Sequence, residues 1–291
     1  GRVMLVIKSR SVWLVTLLMV FLVMVLRGGD DRQKPPPLPE PEKKPSPYGE
    51  YLAWEEADQV FPRYAAATLI DFDTRLQFKV QRRAGDAHAD VQPLTAEDTE
   101  VMKRIYNGHW SWKRRAVLVR LDNGRRIAAS MHGMPHGAGA IRGNNFNGHF
   151  CVHFRGSTTH NSRRSDLSHQ IMVWKAAGRV EKELQKTGAE QTIRVFFTAL
   201  DQAEKTIPAC LLYGKGKEEV LAGLGKLEYC TLESLRKTGP GTWRVKLRYA
   251  VKDKRQEIKR EVDIITQKNQ GVWKIRAPGD GTAALAKLFS P

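Results

Sequence analysis

Residues 115–131, RAVLVRLDNGRRIAASM, place two aliphatic-rich runs on either side of Asp122, Asn123 and Gly124. A turn sequence of this kind between strand-forming runs is a strong hairpin signal. Upstream, TLIDFD (68–73) and RLQFKV (75–80) also read as strands, and downstream HFCVHF (149–154) reads as another. Helical signals are sparse here. Thr95 precedes AEDTEVMKRIY as a cap with acids in the first turn, and residues 165–178 form a second helical stretch. Residues 50–180 are therefore expected to form a β-rich domain.

From residue 189 the pattern changes. AEQTIRVFFTALDQAEK (189–205) is an amphipathic helix, and CLLYGKGKEEVLAGLGKLEYC (210–230) reads as a passage rich in small residues. Three long strand candidates follow: TWRVKLRYAV (242–251), QEIKREVDII (256–265) and GVWKIRA (271–277). One helix feeding a meander of long strands resembles NTF2-like or cystatin-like domains. That resemblance implies an α+β domain with a curved antiparallel sheet over residues 181–291. The whole chain is thus expected to be α+β.

The N-terminal 48 residues read differently. Residues 11–26, SVWLVTLLMVFLVMVL, carry no charge and follow Arg2, Lys8 and Arg10. A basic stretch before an apolar run marks an export signal or signal anchor. The sequence after it, RGGDDR, has no small-x-small cleavage site, so an uncleaved single-pass anchor over residues 1–27 is favoured over a cleaved signal. Residues 28–49 form a linker; QKPPPLPEPEKKPSPYG (33–49) holds seven of the chain's 14 prolines and reads as a semi-rigid spacer. The remaining domains are expected at the cell membrane, on its extracytoplasmic side.

The net charge of +17 does not contradict that placement. Residues 1–48 hold 8 basic and 4 acidic groups, residues 49–180 hold 19 and 13, and residues 181–291 hold 21 and 14. The excess is spread along the chain, whereas a nucleic-acid binder collects it into a stripe or arm. No nucleic-acid partner is expected. A diffuse positive surface suits peptidoglycan or another anionic wall polymer, with the membrane engaged through the N-terminal helix. A hydrophobic fraction of 41% excludes wholesale disorder.

Six of the eight histidines fall between His132 and His169, around a single Cys151. On a strand, HFCVHF puts Phe150, Val152 and Phe154 on one face and His149, Cys151 and His153 on the other. A thiol flanked by imidazoles has the parts for nucleophilic catalysis, since the thiolate is the attacking species and imidazole can take its proton. His132 and His136 arrive from a neighbouring loop, each followed by glycine. Cys210 and Cys230 could pair with each other, leaving Cys151 as the odd thiol. The block HWSWKRR (109–115) offers Trp110, Trp112 and Arg114 for stacking on sugars and for meeting anions; Asn145 is a further substrate-contact candidate.

His132-Gly133 followed by Gly148-His149-Phe150-Cys151-Val152-His153 resembles the signature of L,D-transpeptidase (YkuD-like) domains. There, His-Gly precedes Ser/Thr-His-Gly-Cys, an aliphatic residue and Arg or Asn by about fifteen positions. TLIDFDTRLQFKVQRR resembles the opening strand pair of those domains, and HADVQPLT and MPHGAGAI resemble segments of a group of exported Gram-positive proteins. The resemblance implies that Cys151 attacks a peptide carbonyl of a peptidoglycan stem, that His132 or His136 is the base, and that His149 with the backbone near Cys151 shapes an oxyanion site. No cofactor is implied. Three positions depart from the pattern: Gly148, Phe150 and His153.

Two other readings use the same residues. His149, His153, His160, Asp166 and His169 supply nitrogen and oxygen ligands suited to zinc, as in a zinc-dependent wall peptidase. The tryptophan and arginine block alone would suit a non-catalytic wall-binding module.

Overall fold

A computed structural model describes Met19 and residues 46–159, 164–252, 254 and 256–277. Ser46–Pro291 group into one compact unit and Gly1–Pro45 into another. Apart from Met19, the expected anchor lies outside the described residues, as does the linker up to residue 45. Among the described residues no helix is long and apolar enough to cross a membrane.

The architecture is mixed α+β. Its first half is a closed barrel of six strands: β1 (Ala66–Asp71), β2 (Gln77–Ala84), β3 (Ala89–Pro93), β4 (Ser111–Arg120), β5 (Arg126–Gly133) and β6 (Phe150–His153). Around the barrel the order is β1-β2-β3-β6-β5-β4. Every neighbouring pair is antiparallel. The hairpin expected at Asp122–Gly124 joins β4 to β5, with Gly124 in the left-handed region at φ +82°. Closure leaves no free strand edge.

Alternation along the strands fills the lumen. Leu69, Phe78, Val80, Val117, Phe150 and Val152 belong to one apolar cluster, capped by Trp54 of α1 (Trp54–Val60) and Met102 of α2 (Ala96–Ile105). The Thr95 cap is formed: Asp98 N–H donates to Thr95 Oγ1 at 3.1 Å, and Thr95 N–H donates to Asp98 Oδ2 at 3.1 Å. This reciprocal pair satisfies two N–H groups that the helix itself leaves open.

The outer face of β4 and β5 is apolar too. Ala116, Leu118 and Ala128 pack with Ile171 and Met172 of α3 (Leu167–Ala176) and Phe196 of the helix at Ala189–Asp201 in a second core. The rest of that core belongs to the second sheet. After α4 (Val180–Leu184) and α5 (Ala189–Asp201) come α6 (Thr206–Leu211), β7 (Leu212–Tyr213), α7 (Lys217–Leu224), β8 (Leu227–Gly239), β9 (Thr242–Val251), β10 (Glu257–Asn269) and β11 (Val272–Arg276). Their order is β7-β11-β10-β9-β8. The four longer strands are antiparallel, whereas two-residue β7 joins β11 in parallel.

One expectation is corrected in this half, and one passage gains structure that its sequence did not specify. The small-residue passage contains α7 and the start of β8, a 13-residue strand whose register shifts three times against β9 and so breaks simple alternation. Cys210 and Cys230 are separate free thiols, the first exposed on α6 and the second buried on β8. Cys230 packs among the apolar side chains of the second core, while Cys210 faces solvent.

Candidate active site

Because β3, β6 and β5 send their apolar residues into the lumen, their intervening residues face outward. His88, Asp90 and Gln92 come from the β3 segment, Cys151 and His153 from β6, and Ser130 and His132 from β5. Register aligns them into rows. Asp90 pairs with Cys151, and Ser130 pairs with His153. His132 and Asp90 therefore flank Cys151, while Ser130 and His88 flank His153. Although outside the barrel, all of these side chains are buried.

His169 of α3 stacks on His153 with ring centroids 3.7 Å apart and an interplanar angle of 4°. His153 in turn stacks on His88 at 4.5 Å and 9°. His169 Nδ1 meets Ser130 Oγ at 2.8 Å. Burial holds the His169 pKa well below 6.5, with the neighbouring His153 adding to the effect.

Cys151 Sγ lies 3.5 Å from His136 Nε2 and 3.8 Å from Asp90 Oδ1. His136 Nδ1 meets the Met134 carbonyl at 3.1 Å. A carbonyl only accepts, so this contact places the ring proton on Nδ1 and the Nε2 lone pair toward the sulfur. Burial pushes the Cys151 thiol pKa up, and the Asp90 carboxylate pushes it further; Arg114 acts in the opposite direction.

His132 is held well below 6.5, first by burial and then by His136 and Arg114. Met134 N–H approaches its Nδ1 at 3.2 Å and Cys151 N–H approaches its Nε2 at 3.4 Å. A neutral imidazole has one lone-pair nitrogen, so it accepts only one of these at a time. His132 and His136 thus occupy different positions around the thiol. His136 Nε2 lies within hydrogen-bond reach of the sulfur, whereas His132 Nε2 faces the Cys151 backbone N–H.

The loop carrying His136 closes through reciprocal backbone hydrogen bonds of 2.9 and 2.8 Å between His136 and His149. Gly137 sits at φ +62°, where a Cβ would fall 2.5 Å from the His149 ring. Gly148 sits at φ +108°, where a Cβ would fall 2.4 Å from the His136 carbonyl oxygen. Gln92 pins the same loop, donating to Gly148 O at 2.7 Å and accepting from Ala140 N–H at 2.8 Å. Glycine at 148 is thus required by the local backbone. Phe150 is likewise accommodated: its ring points into the lumen cluster with Phe78 and Phe146, on the face opposite the thiol.

Trp112 lies against His132, which sits on β5 rather than on the expected loop because the strand runs on to Gly133, and against His136 of the loop, with ring centroids 4.8 and 5.3 Å away. With Trp110, Lys113, Arg114 and Met134 it lines a groove of about 390 Å³. A neighbouring cavity of about 410 Å³ shares Arg114, Asp201 and Gln202. Arg114 donates to the Trp112 carbonyl at 2.7 Å and pairs with Asp166 at 2.8 Å. Three of the four expected substrate contacts therefore meet in one groove. Asn145 is exposed in a left-handed conformation at φ +55° and lines neither cavity.

Of the alternative zinc ligands, Asp166 caps α3 by accepting from Ser168 N–H at 2.8 Å. His153 and His169 stack together, and His149 Nε2 lies 3.7 Å from Asp90 Oδ1. His160 lies outside the described residues. Metal-donor atoms also gather around Cys151 in the sets His132/His136, Asp90/His149 and His88/His153, each within 4.8 Å with the sulfur.

His88 and Asp90 were not among the sequence candidates. The available signal was HADVQP (88–93), in which polar residues alternate with Ala89 and Val91 and end at a proline. Read as a strand, it puts His88, Asp90 and Gln92 on one face. Compared with known protein families the chain has no match, and none of the curated proteins matches it.

Proposed function

We propose that the chain is a cysteine-dependent acyl transferase of the L,D-transpeptidase type, acting on peptidoglycan stem peptides at the extracytoplasmic face of the cell membrane. The observation that carries the chemistry is the 3.5 Å approach of His136 Nε2 to Cys151 Sγ, with the ring oriented by the Met134 carbonyl. The peptidoglycan substrate is supported by the sequence resemblance and by the Trp110/Trp112/Arg114 groove beside the dyad. The N-terminal anchor and spacer supply the location in this reading, and residues 181–291 act as an NTF2-like accessory domain.

The buried, neutral thiol makes proton transfer part of the attack. As Cys151 Sγ bonds to the donor carbonyl carbon, His136 Nε2 takes the thiol proton. The Cys151 backbone N–H, which approaches His132 Nε2 at 3.4 Å in the resting site, is the donor offered to the developing oxyanion. Collapse breaks the C–N bond, and the departing amine takes the proton from His136. An acceptor amine then attacks the thioester, His136 takes its proton, and the sulfur leaves as the regenerated thiol. Water in place of the amine gives hydrolysis.

Incubation of the full chain with a disaccharide tetrapeptide checks the substrate. Cross-linked dimers, or the corresponding hydrolysis product, are expected with the native chain and absent with Cys151→Ala. Equal product from both proteins contradicts the assignment.

A further inference from the structure

We infer that the Cys151 pocket binds one zinc-like divalent ion through Cys151 Sγ, His136 Nε2, His149 Nε2 and Asp90 Oδ1. Only His149 is shared with the zinc ligand set expected from sequence. The inference goes beyond acyl transfer, because an ion here occupies the sulfur lone pair needed for attack and holds the thiol inactive.

The geometry has three parts. First, three edges of the donor set are 3.5 Å for Cys151–His136, 3.8 Å for Cys151–Asp90 and 3.7 Å for His149–Asp90. Bonds of about 2.0–2.3 Å in a tetrahedron give edges of about 3.3–3.8 Å. The Asp90, His149 and Cys151 donors lie within 4.8 Å of one another and His136 Nε2 reaches the same sulfur, so closing the set around one ion requires His136 Nε2 to move toward Asp90 and His149.

Second, both imidazoles are oriented from behind. His136 Nδ1 meets the Met134 carbonyl at 3.1 Å, and His149 Nδ1 meets the Ala138 carbonyl at 2.8 Å. Each carbonyl fixes the proton on Nδ1 and turns Nε2 toward the donor set. Such backing of metal-bound histidines selects the tautomer and the ring direction. The His136–His149 backbone bridge holds the two rings together, with centroids 4.5 Å apart.

Third, charge favours a cation. A dication with one thiolate and one carboxylate sums to zero, the balance that a buried site tolerates. Binding converts the Cys151 thiol to a metal thiolate and releases one proton to solvent. Nitrogen and sulfur donors in this number favour zinc or cobalt over magnesium or calcium.

The test uses the purified, reduced full chain stripped with chelator, then titrated with Zn²⁺ alone and, separately, with Co²⁺ alone. The expected results are one zinc retained per chain after gel filtration and a thiolate-to-cobalt charge-transfer absorption saturating at one equivalent. Cys151→Ser should abolish that absorption, and His149→Ala should weaken binding at least 10-fold. Asp90→Asn provides a further ligand variant if either fails to fold, as judged by circular dichroism, and it should also weaken binding. Cys210→Ser, on the exposed thiol, should change nothing. Sub-stoichiometric zinc, or unchanged binding in folded ligand variants, overturns the inference. An acyl adduct at Cys151 without metal binding sinks the metal site and leaves acyl transfer standing. Stoichiometric binding with no adduct on the stripped protein does the reverse.

Discussion

The two faces of β3 and β6 differ by one residue step. On the lumen face Val91, Phe150 and Val152 are fully buried; on the outer face Asp90, Cys151 and His153 are 5%, 4% and 2% exposed. Equal burial serves opposite ends. Inside, it removes apolar surface from water and contributes stability. Outside, it raises the Cys151 thiol pKa and depresses those of His132 and His169, while partners on β5, α3 and the 134–149 loop set the geometry. A strand can therefore anchor a core and present a reactive site if both of its faces are covered.

That contrast breaks if both faces respond alike to substitution. Phe150→Ala should cost about 3–5 kcal/mol of stability by leaving a cavity in the barrel. Denaturant melts should show this as a large fall in midpoint. His136→Ala should leave the midpoint nearly unchanged and lower the acylation rate about 10²–10⁴-fold. A His136 variant that unfolds while Phe150→Ala remains stable would reverse the assignment of the two faces.

A smaller effect separates the faces by pH. The folded-state pKa of His169 is depressed, so its contribution to stability is fully present above the unfolded value near 6.5. As pH falls toward the folded value the unfolded chain binds more protons, and stability declines. Thermal melts from pH 7.5 to 5 should show this decline, and His169→Phe should make it shallower, with His132 keeping part of the slope. The lumen variant Val152→Ala should lower the whole curve without changing its slope. Smallest is Thr95→Ala, expected to cost about 0.5–2 kcal/mol through loss of the α2 cap, with acylation unaffected. Denaturant midpoints and initial rates measure both quantities.

The sequence made the local parts legible. Asp122-Asn123-Gly124 marked the β4–β5 hairpin, Thr95 marked the start of α2, and HFCVHF revealed which side chains share the Cys151 face. Partners across the barrel were harder to read. Asp90 meets Cys151 across 61 positions of sequence, and alternation tells which way a side chain faces but not which strand lies beside it. His88 and Asp90 were therefore missed, although HADVQP alternates. The distinction between His132 and His136 depends on a loop folded back by Gly137, Gly148 and Gln92, which spacing alone does not convey. His153 looked equivalent to His149 on its strand, yet it lies between two other imidazoles. β8 was obscured because its register shifts and largely polar exposed positions mask the strand period.

The central claim is that the outer-face thiol is a nucleophile served by His136. Intact-protein mass spectrometry of the reduced, metal-stripped full chain with a carbapenem tests it most directly. A single covalent adduct that maps to Cys151, forms far more slowly in His136→Ala and is absent in Cys151→Ala is the expected result. Folded protein with no adduct, or an adduct that survives Cys151→Ala, contradicts the account.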